Sequence, residues 1–232
     1  KTGTHSIGTM FARQAHSEHE ADAEQLIELH LDRLQGGAGS DDRALADVLR
    51  QRDKRRRLKF DASQVNIYLI DMFEALFPGS RYVLTVRRPG DWLRSMVDDS
   101  LRRDVSATWH RFRDYRFRQH EGFTPGDEPL RQKDLYPLSG YLNYWREAVE
   151  LPFTRIPSER LLVIPTHQLT QRADEIAAFS GMSGLTVPQG ATRKFVNPER
   201  FGVVESLDPD YLSSRIAAIC EPVIKERGLN LD

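Results

Sequence analysis

Apolar residues along the chain alternate between the spacing of helices and that of strands. In residues 21–34 they recur every three or four positions, which predicts an amphipathic helix. The apolar positions of this helix are Ala23, Leu26, Ile27, Leu31 and Leu34. The segments "RYVLTV" at 81–86 and "RLLVIP" at 160–165 are instead short runs rich in valine, isoleucine and leucine, which predict buried strands.

The other segments continue this alternation. Further helices are predicted at residues 7–15, 41–57, 65–77, 89–101, 138–149, 170–180 and 209–225, and a short strand at 58–60, which ends at Asp61. Strands separated by helices are typical of an α/β protein in which helices cover both faces of a parallel sheet. No internal repeat and no convincing linker interrupts the pattern, so we predict one α/β domain over residues 1–232.

The composition narrows the class of protein. The 232 residues are 39% hydrophobic and 29% charged with a formal net charge of −1, which gives no overall basic field for nucleic acid or a membrane surface. The single cysteine, Cys220, cannot form an internal disulfide, and no apolar run approaches the ~18 residues of a membrane span. We therefore expect a cytoplasmic location, with an anchor before Lys1 left open.

The first six residues have the character of a phosphate-binding loop. They are Lys1, Thr2, Gly3, Thr4, His5 and Ser6. Lys1 can reach a phosphate as a point charge, Gly3 lets the backbone approach closely, and the N–H groups that follow point outward at the start of the predicted helix. Such a loop normally follows a strand, which we expect before Lys1. The alternative is an ordinary exposed terminus.

A second candidate anion site follows the strand at 81–86. In "RRPGDWLRS", Arg87 is the first residue after the predicted strand and carries a positive charge. Ser95 lies eight residues later, about two turns into the next helix. In open parallel sheets, ligands lie beyond the carboxyl ends of the strands. The side chains of Arg87 and Ser95 could therefore both contact one phosphate. Alternatively, Arg87 forms an ion pair at the strand end and Ser95 is a solvated helical residue.

Together, "KTGTHS" and "RRPGDWLRS" resemble the two phosphate motifs of the sulfotransferases that use 3'-phosphoadenosine-5'-phosphosulfate (PAPS). The segment "ERLLVIPTHQLTQRADEIAAFSGM" is similar to a strand-loop-helix segment of that family, and the resemblance covers most of residues 1–182. It implies a nucleotide-binding fold of the P-loop type, in which the first loop holds the 5'-phosphosulfate and Arg87 and Ser95 hold the 3'-phosphate.

The chain also departs from the pattern of that family. His5 and Ser6 stand where many members carry Thr and Trp, so the stacking of adenine on that Trp is not expected here. The C-terminal basic loop of the family is matched loosely by "TRKFVN". The resemblance therefore gives Arg193 and Lys194 as further candidates for the 3'-phosphate.

The resemblance implies transfer of a sulfuryl group from PAPS to the hydroxyl or amine of a small-molecule or glycan acceptor, with release of adenosine 3',5'-bisphosphate (PAP). The transition state of such a transfer is loose and in-line, so cations and positioning supply most of the catalysis, and no bridging metal is required. Lys1 would stabilise the bridging oxygen. Asp61 is the first candidate for the base and His5 the second, although Asp61 could instead cap the next helix and His5 could be a plain loop residue.

Two other functions fit parts of the pattern. A P-loop kinase would use ATP, but the sequence lacks the G-x-x-x-x-G-K-[ST] pattern and an obvious magnesium-binding aspartate after a strand. A binding module could keep the nucleotide pocket without turnover. Binding of PAP but not of ATP would exclude the kinase, and turnover of PAPS would exclude the binding module.

Two further segments have both a structural and a functional interpretation. "TWHRFRDYRFRQH" mixes aromatic residues with arginines, which favours a half-buried helix over a nucleic-acid surface; it could also line the acceptor pocket. Its histidines, His110 and His120, lack the partners of a metal site. The basic run at residues 54–57 is interpreted as a solvated helix end, or as a rim that attracts an anionic acceptor.

Overall fold

A computed structural model of the protein describes residues 4–12, 14–36, 42–118, 122–185 and 199–231. The chain is an α/β protein that is mostly helical and contains small parallel sheets. The strands are β1 (Ser17–His19), β2 (Phe60–Ala62), β3 (Tyr82–Val86) and β4 (Leu161–Pro165). The helices are α1 (Thr4–Met10), α2 (Ala23–Leu34), α3 (Asp42–Arg56), α4 (Ile70–Leu76), α5 (Pro89–Arg102), α6 (Ala107–Arg118), α7 (Glu128–Arg131), α8 (Leu138–Arg155), α9 (Ala173–Phe179), α10 (Pro209–Ile219) and α11 (Glu221–Glu226).

The described residues divide into two compact units. The first, here called the sheet unit, comprises residues of 3–85 and 152–195; the second, here called the helical unit, comprises residues of 86–151 and 196–232. Among the described strands, β1 pairs with β2 and β3 pairs with β4, as two two-stranded sheets. The continuous sheet of a P-loop fold therefore stays a prediction.

The core of the sheet unit lies between α1, α9 and the strands. The rings of Phe11 and Phe60 stack with their centroids 4.7 Å apart, which joins the end of α1 to β2. Ile164 of β4 and Ile176 of α9 are fully buried in the same cluster. Burial of these apolar side chains gives the unit its stability, because each removes hydrocarbon surface from water.

Strand β1 was not predicted from the sequence. Its residues, Ser17–His19, are all polar, so no apolar run marks them. They form a strand because they pair in parallel with β2, with His19 opposite Ala62. Helix α1 packs closely on this pair: a Cβ atom on Gly8 would lie 2.9 Å from the Cβ of His19.

The register of β2 also differs from the prediction. The strand spans Phe60–Ala62 rather than residues 58–60, so Asp61 lies inside it, opposite Glu18, and not after its end. Phe60 and Ala62 are buried on the core side, whereas Asp61 points to the opposite face. The alternation of the strand thus sets the direction of the Asp61 carboxylate.

Aromatic residues fill the core of the helical unit. Trp92 of α5, Phe112 and Phe117 of α6, and Tyr141 and Trp145 of α8 are almost fully buried. Gly140 allows this packing, because a Cβ atom there would lie 2.1 Å from the carbonyl oxygen of Phe117. The prediction that "TWHRFRDYRFRQH" forms a half-buried helix is confirmed for its described residues; His120 lies outside them.

The other predicted helices are present, two of them with clearly shifted ends: α1 spans Thr4–Met10 rather than 7–15, and α8 continues to Arg155 rather than ending at 149. The predicted helices 65–77 and 209–225 are not continuous α-helices. Residues 65–69 form a 3-10 turn before α4, and the last helix is divided at Cys220 into α10 and α11. Pro222 explains the division, because it has no N–H to continue the hydrogen bonds of α10 and fits the first turn of a new helix. Within the described residues, no helix is both long and apolar enough to cross a bilayer.

Helix α2 contains a buried histidine, His30, and we therefore expect the protein to lose stability below neutral pH. His30 is 3% exposed and stacks on Tyr68 with ring centroids 4.9 Å apart. Burial, together with the charge of Arg33, lowers the pKa of His30 from 6.5 to about 4. As the pH falls below about 6.5, His30 binds a proton in the unfolded chain but not in the folded chain. The contribution of His30 to the free energy of unfolding is therefore fully present above that pH and is lost as the pH falls towards 4.

The expected loss from His30 is about 2 kcal/mol between pH 7.5 and pH 5. Urea denaturation at a series of pH values measures it. His30→Phe preserves an aromatic ring against Tyr68 and should remove this part of the pH dependence. An unchanged pH dependence in His30→Phe would show that other groups cause it.

Candidate functional site

The main chain of Arg87 is fixed by a buried tryptophan. Strand β3 ends at Val86, and α5 begins at Pro89, which the first turn of a helix accepts without loss of a hydrogen bond. The indole Nε1 of Trp145 donates a hydrogen bond of 3.0 Å to the carbonyl oxygen of Arg87. The packing of the helical unit therefore holds the point from which the Arg87 side chain extends.

The guanidinium of Arg87 is half-buried and forms no hydrogen bond or ion pair with any residue in the described ranges. Burial lowers the pKa of Arg87 from its ordinary value, Asp91 acts in the opposite direction, and the charges of Arg200 and Arg94 lower it further. A cation that is partly desolvated without a partner is costly, because pairing does not offset the burial. This is the electrostatic character expected of an anion-binding group.

Ser95 lies on α5, the helix that begins two residues after Arg87. Its side chain is partly buried, and its hydroxyl makes no hydrogen bond with the described part of the protein. The ion pair that would give Arg87 a purely structural role at the strand end is likewise not formed with a described residue. Both predicted phosphate ligands thus keep their hydrogen-bonding groups available.

Arg200 is a cation near Arg87 that the sequence did not indicate. Asp98 of α5 is 2% exposed, accepts a hydrogen bond of 3.2 Å from the N–H of Phe201, and has an oxygen 3.7 Å from Nη1 of Arg200. The buried carboxylate therefore holds residues 200–201 on α5. The sequence shows only that this part of the chain is basic, because nothing in it pairs Asp98 with Arg200.

Five of the predicted ligands lie outside the described residues. They are Lys1, Thr2 and Gly3 of the first loop, and Arg193 and Lys194 of the later basic segment. Their roles stay predictions. The rest of the first loop is described and begins helix α1.

Thr4, His5 and Ser6 form the first turn of α1 and are partly buried. The hydroxyl of Thr9 donates to the carbonyl oxygens of His5 and Ser6, at 2.9 and 3.2 Å, so the turn is fastened from within the helix. The Thr4 hydroxyl lies 3.2 Å from Nε2 of His19. The rings of His5 and His19 have centroids 4.8 Å apart.

The carboxylate of Asp61 is engaged by a buried arginine. Its Oδ2 and Oδ1 accept hydrogen bonds of 2.7 and 2.9 Å from the two terminal nitrogens of Arg52. Arg52 is 6% exposed and also donates to the carbonyl oxygen of Ala21 at 3.1 Å. To accept a proton from an acceptor, Asp61 would have to lose one of its two hydrogen bonds from Arg52. Its catalytic role stays a prediction, and the geometry does not favour it.

The sequence did not single out His19 and Glu20. His19 is the last residue of β1 and Glu20 follows it, in the polar stretch "HSEHE", which has no apolar pattern to mark it as structured. Oε1 of Glu20 lies 3.7 Å from Nε2 of His19, next to the first turn of α1. The only signal was the concentration of histidine and carboxylate shortly after the loop.

The basic run at 54–57 serves partly as structure. Arg55 and Arg56 both donate to the carboxylate of Asp22, each at 2.7 Å, and these bonds hold the pKa of Asp22 at about 2. Arg56 also donates to Glu18 at 2.6 Å. The interpretation as a solvated helix end therefore needs correction at these two arginines, which bind the loop after β1.

The described site residues are distributed over the two units. Thr4, His5, Ser6 and Asp61 belong to the sheet unit, and Arg87 and Ser95 to the helical unit. Within the described residues, no group of three or more His, Cys, Asp or Glu side chains could hold a metal ion.

Comparisons with other proteins give no family for this chain. No protein-family model matches it, and neither does a curated protein or a solved structure. Its function is therefore argued from the side chains described above.

Proposed function

We propose that the protein is a PAPS-dependent sulfotransferase. The observation that carries the proposal is the half-buried guanidinium of Arg87, which has no partner in the described chain and is accompanied by the available hydroxyl of Ser95. A phosphate would supply the negative charge that offsets the burial of Arg87, through a charge-assisted and bidentate contact. The 3'-phosphate of PAPS is the group proposed for this position.

The 5' end of the donor is proposed to bind the loop that leads into α1. Lys1 would contact the oxygen between phosphorus and sulfur, and the N–H groups of Thr4, His5 and Ser6 would contact the 5'-phosphate. Thr9 supports this turn through its hydrogen bonds to two of the carbonyl oxygens. The sequence motif and the helical start at Thr4 are what support this part of the proposal.

The proposed reaction is an in-line displacement at sulfur. A bond forms between the acceptor oxygen or nitrogen and the sulfur atom while the bond from sulfur to the bridging oxygen breaks, and PAP leaves with the negative charge. The acceptor loses its proton to a base. Cations at the bridging oxygen stabilise the charge that develops there. The acceptor is proposed to be a small molecule or a glycan.

Calorimetry with PAP, adenosine 5'-monophosphate (AMP) and ATP–Mg tests the nucleotide specificity. We expect PAP to bind more tightly than AMP, because only PAP has a 3'-phosphate for Arg87, and we expect no detectable binding of ATP–Mg. Equal affinities for PAP and AMP would contradict the proposal. Tight binding of ATP–Mg would favour the kinase.

Turnover separates an enzyme from a binding module. PAPS labelled in its sulfuryl group is incubated with a phenol, a hexosamine and a tyrosine-containing peptide, and transfer of the label is measured. Transfer to any of them supports the enzyme. Binding of PAP without consumption of PAPS, alone or with these acceptors, would support the binding module.

A further inference from the structure

His19 lies at the carboxyl end of β1, against the turn that begins α1. Its side chain is 26% exposed, and Nε2 lies 3.2 Å from the Thr4 hydroxyl and 3.7 Å from Oε1 of Glu20. The absence of a side chain on Gly8 allows the close approach, since a Cβ atom there would lie 2.9 Å from the Cβ of His19. The imidazole is thus both accessible and held in place.

The carboxylate of Glu20 is positioned by the segment that follows β2. It accepts hydrogen bonds of 2.6 Å from the hydroxyl of Ser63 and of 3.2 Å from the N–H of Gln64. The N–H of Glu20 in turn donates to the carbonyl oxygen of Ala62 at 3.0 Å. These bonds fix the carboxylate beside the imidazole of His19.

The backbone at Glu20 is strained, which is unusual for a residue of this type. Its φ angle is 57°, in the left-handed region, and Asp22 two residues later has a φ of 52°. Neither residue is a glycine, and such conformations cost free energy that neighbouring contacts must offset. Strain of this kind concentrates at functional sites. Here it turns the chain so that His19 and the Glu20 carboxylate lie side by side.

Among the described residues, the ionisable side chains of His5 and Glu20 lie beside the His19 ring, and their charges affect it differently. His5 lies with its ring centroid 4.8 Å away, and two protonated imidazoles at that distance would repel each other. Glu20 attracts a proton to His19 through its negative charge at 3.7 Å. Glu20 thus stabilises the imidazolium that forms when His19 takes up a proton.

We infer that His19 is the base that takes the proton of the acceptor, with Glu20 stabilising the imidazolium that results. The inference rests on the proposed sulfuryl transfer. As sulfur bonds to the acceptor oxygen and the bridging oxygen departs with PAP, the acceptor proton passes to Nε2 of His19, which gives it to solvent after the product leaves. The contact of 3.2 Å from Nε2 to the Thr4 hydroxyl shows that this nitrogen can approach a hydroxyl group.

The geometry favours His19 over the two bases suggested by the sequence. Both oxygens of Asp61 accept hydrogen bonds from the buried guanidinium of Arg52, whereas His19 is partly exposed beside the first turn of α1. His5 is adjacent to His19, and the carboxylate of Glu20 lies beside the imidazole of His19. His19 combines access, a fixed position and a stabilising charge.

The test compares His19→Gln with His16→Gln. His16 directly precedes β1, at the opposite end of the strand from His19, so its replacement controls for the general effect of losing a histidine from this segment. Turnover of PAPS with the best acceptor of the panel and affinity for PAP are measured for both. We expect His19→Gln to lose about 10²-fold or more in turnover with PAP affinity retained, and His16→Gln to match the unaltered protein.

The pH dependence of turnover provides a second measurement, which does not require replacement of His19. The unaltered enzyme should lose turnover at low pH as His19 becomes protonated, and Glu20→Gln should move this acidic limb to lower pH because it removes the charge that favours imidazolium. A purely structural role for Glu20 would leave the limb in place. An unaltered enzyme without an acidic limb between pH 5 and pH 8 would overturn the inference.

The outcomes distinguish this inference from the function on which it rests. If the protein binds PAP and turns over PAPS but His19→Gln keeps its turnover, the sulfotransferase stands and His19 is not the base. If His19→Gln loses PAP affinity and turnover together, His19 has a binding or structural role and the inference is wrong. If the unaltered protein neither binds PAP nor consumes PAPS, both fail.

Discussion

Arg87→Ala should weaken binding of PAP by about 2–4 kcal/mol, which corresponds to roughly 30-fold to 900-fold in the dissociation constant. The guanidinium of Arg87 is half-buried without a partner in the described chain, so a bound phosphate would be its principal counter-charge. The variant loses a charge-assisted contact whose desolvation has already occurred in the free protein. Isothermal titration calorimetry measures the difference directly.

Arg88→Ala is the matched control for this experiment. Arg88 is the next residue in the chain and is exposed, and its Nε donates to the carbonyl oxygen of Leu231 at 2.9 Å. Its removal lowers the net charge by the same amount without touching the proposed phosphate position. An equal loss of PAP affinity in Arg87→Ala and Arg88→Ala would indicate a general electrostatic effect and contradict the assignment.

Two further binding measurements test the same phosphate contact: the affinity of Ser95→Ala for PAP, and the affinity of both variants for AMP. A neutral hydroxyl contributes less than a guanidinium, so Ser95→Ala should cost nearer 1 kcal/mol in PAP binding. AMP lacks the 3'-phosphate, so neither variant should change its affinity. Because both side chains would contact one phosphate, the double variant should lose less than the sum of the two losses. Equal weakening of PAP and AMP by Arg87→Ala would disprove the contact with the 3'-phosphate.

Asp61→Asn should destabilise the protein by about 3 kcal/mol, because it leaves the guanidinium of Arg52 buried without its carboxylate. Arg52 is 6% exposed, and Asp61 accepts from both of its terminal nitrogens. The loss falls at the lower end of the range for a broken buried pair, since Arg52 keeps its bond to Ala21 and the nearby charge of Asp22. Urea denaturation measures the change.

Asp47→Asn is the control for the loss of an aspartate from an ion pair. Asp47 pairs with Arg50 at 3.1 Å, and both side chains are more than half exposed, so less than about 1 kcal/mol should be lost. If the proposed sulfuryl transfer occurs, turnover by the folded fraction of Asp61→Asn should stay within about tenfold of that of the unaltered protein. A drop of about 10²-fold with stability intact would instead identify Asp61 as the base and contradict the role of the Arg52 pair.

Much of the helical content could be predicted from the sequence, for local physical reasons. The spacing of apolar residues at 21–34 gives helix α2, and Pro89 marks the first turn of α5. The apolar run at 81–86 gives β3, which made Arg87 recognisable as a residue at a strand end. Each of these signals lies within one segment and depends on the side chains that the segment itself carries.

The candidate site was only partly predictable. Arg87 and Ser95 were identified from one continuous motif, whereas His19 and Arg200 gain their neighbours from residues that are distant in sequence. The polar stretch "HSEHE" has no hydrophobic periodicity that would predict a strand. Strand β1 forms only because it pairs with β2, which is distant in sequence. The same pairing placed Asp61 inside β2, where Arg52 engages it.

The sequence by itself determined the α/β class and most helix positions, and it suggested two candidate phosphate-binding segments, because hydrophobic period and residue chemistry are local properties. Only the tertiary structure decided which charged groups were paired. It joined Asp61 to Arg52 and Asp22 to Arg56, and it left the Arg87 guanidinium half-buried without a partner in the described residues. The physical reason is that pairing and burial depend on how distant segments pack, which no single stretch of sequence contains.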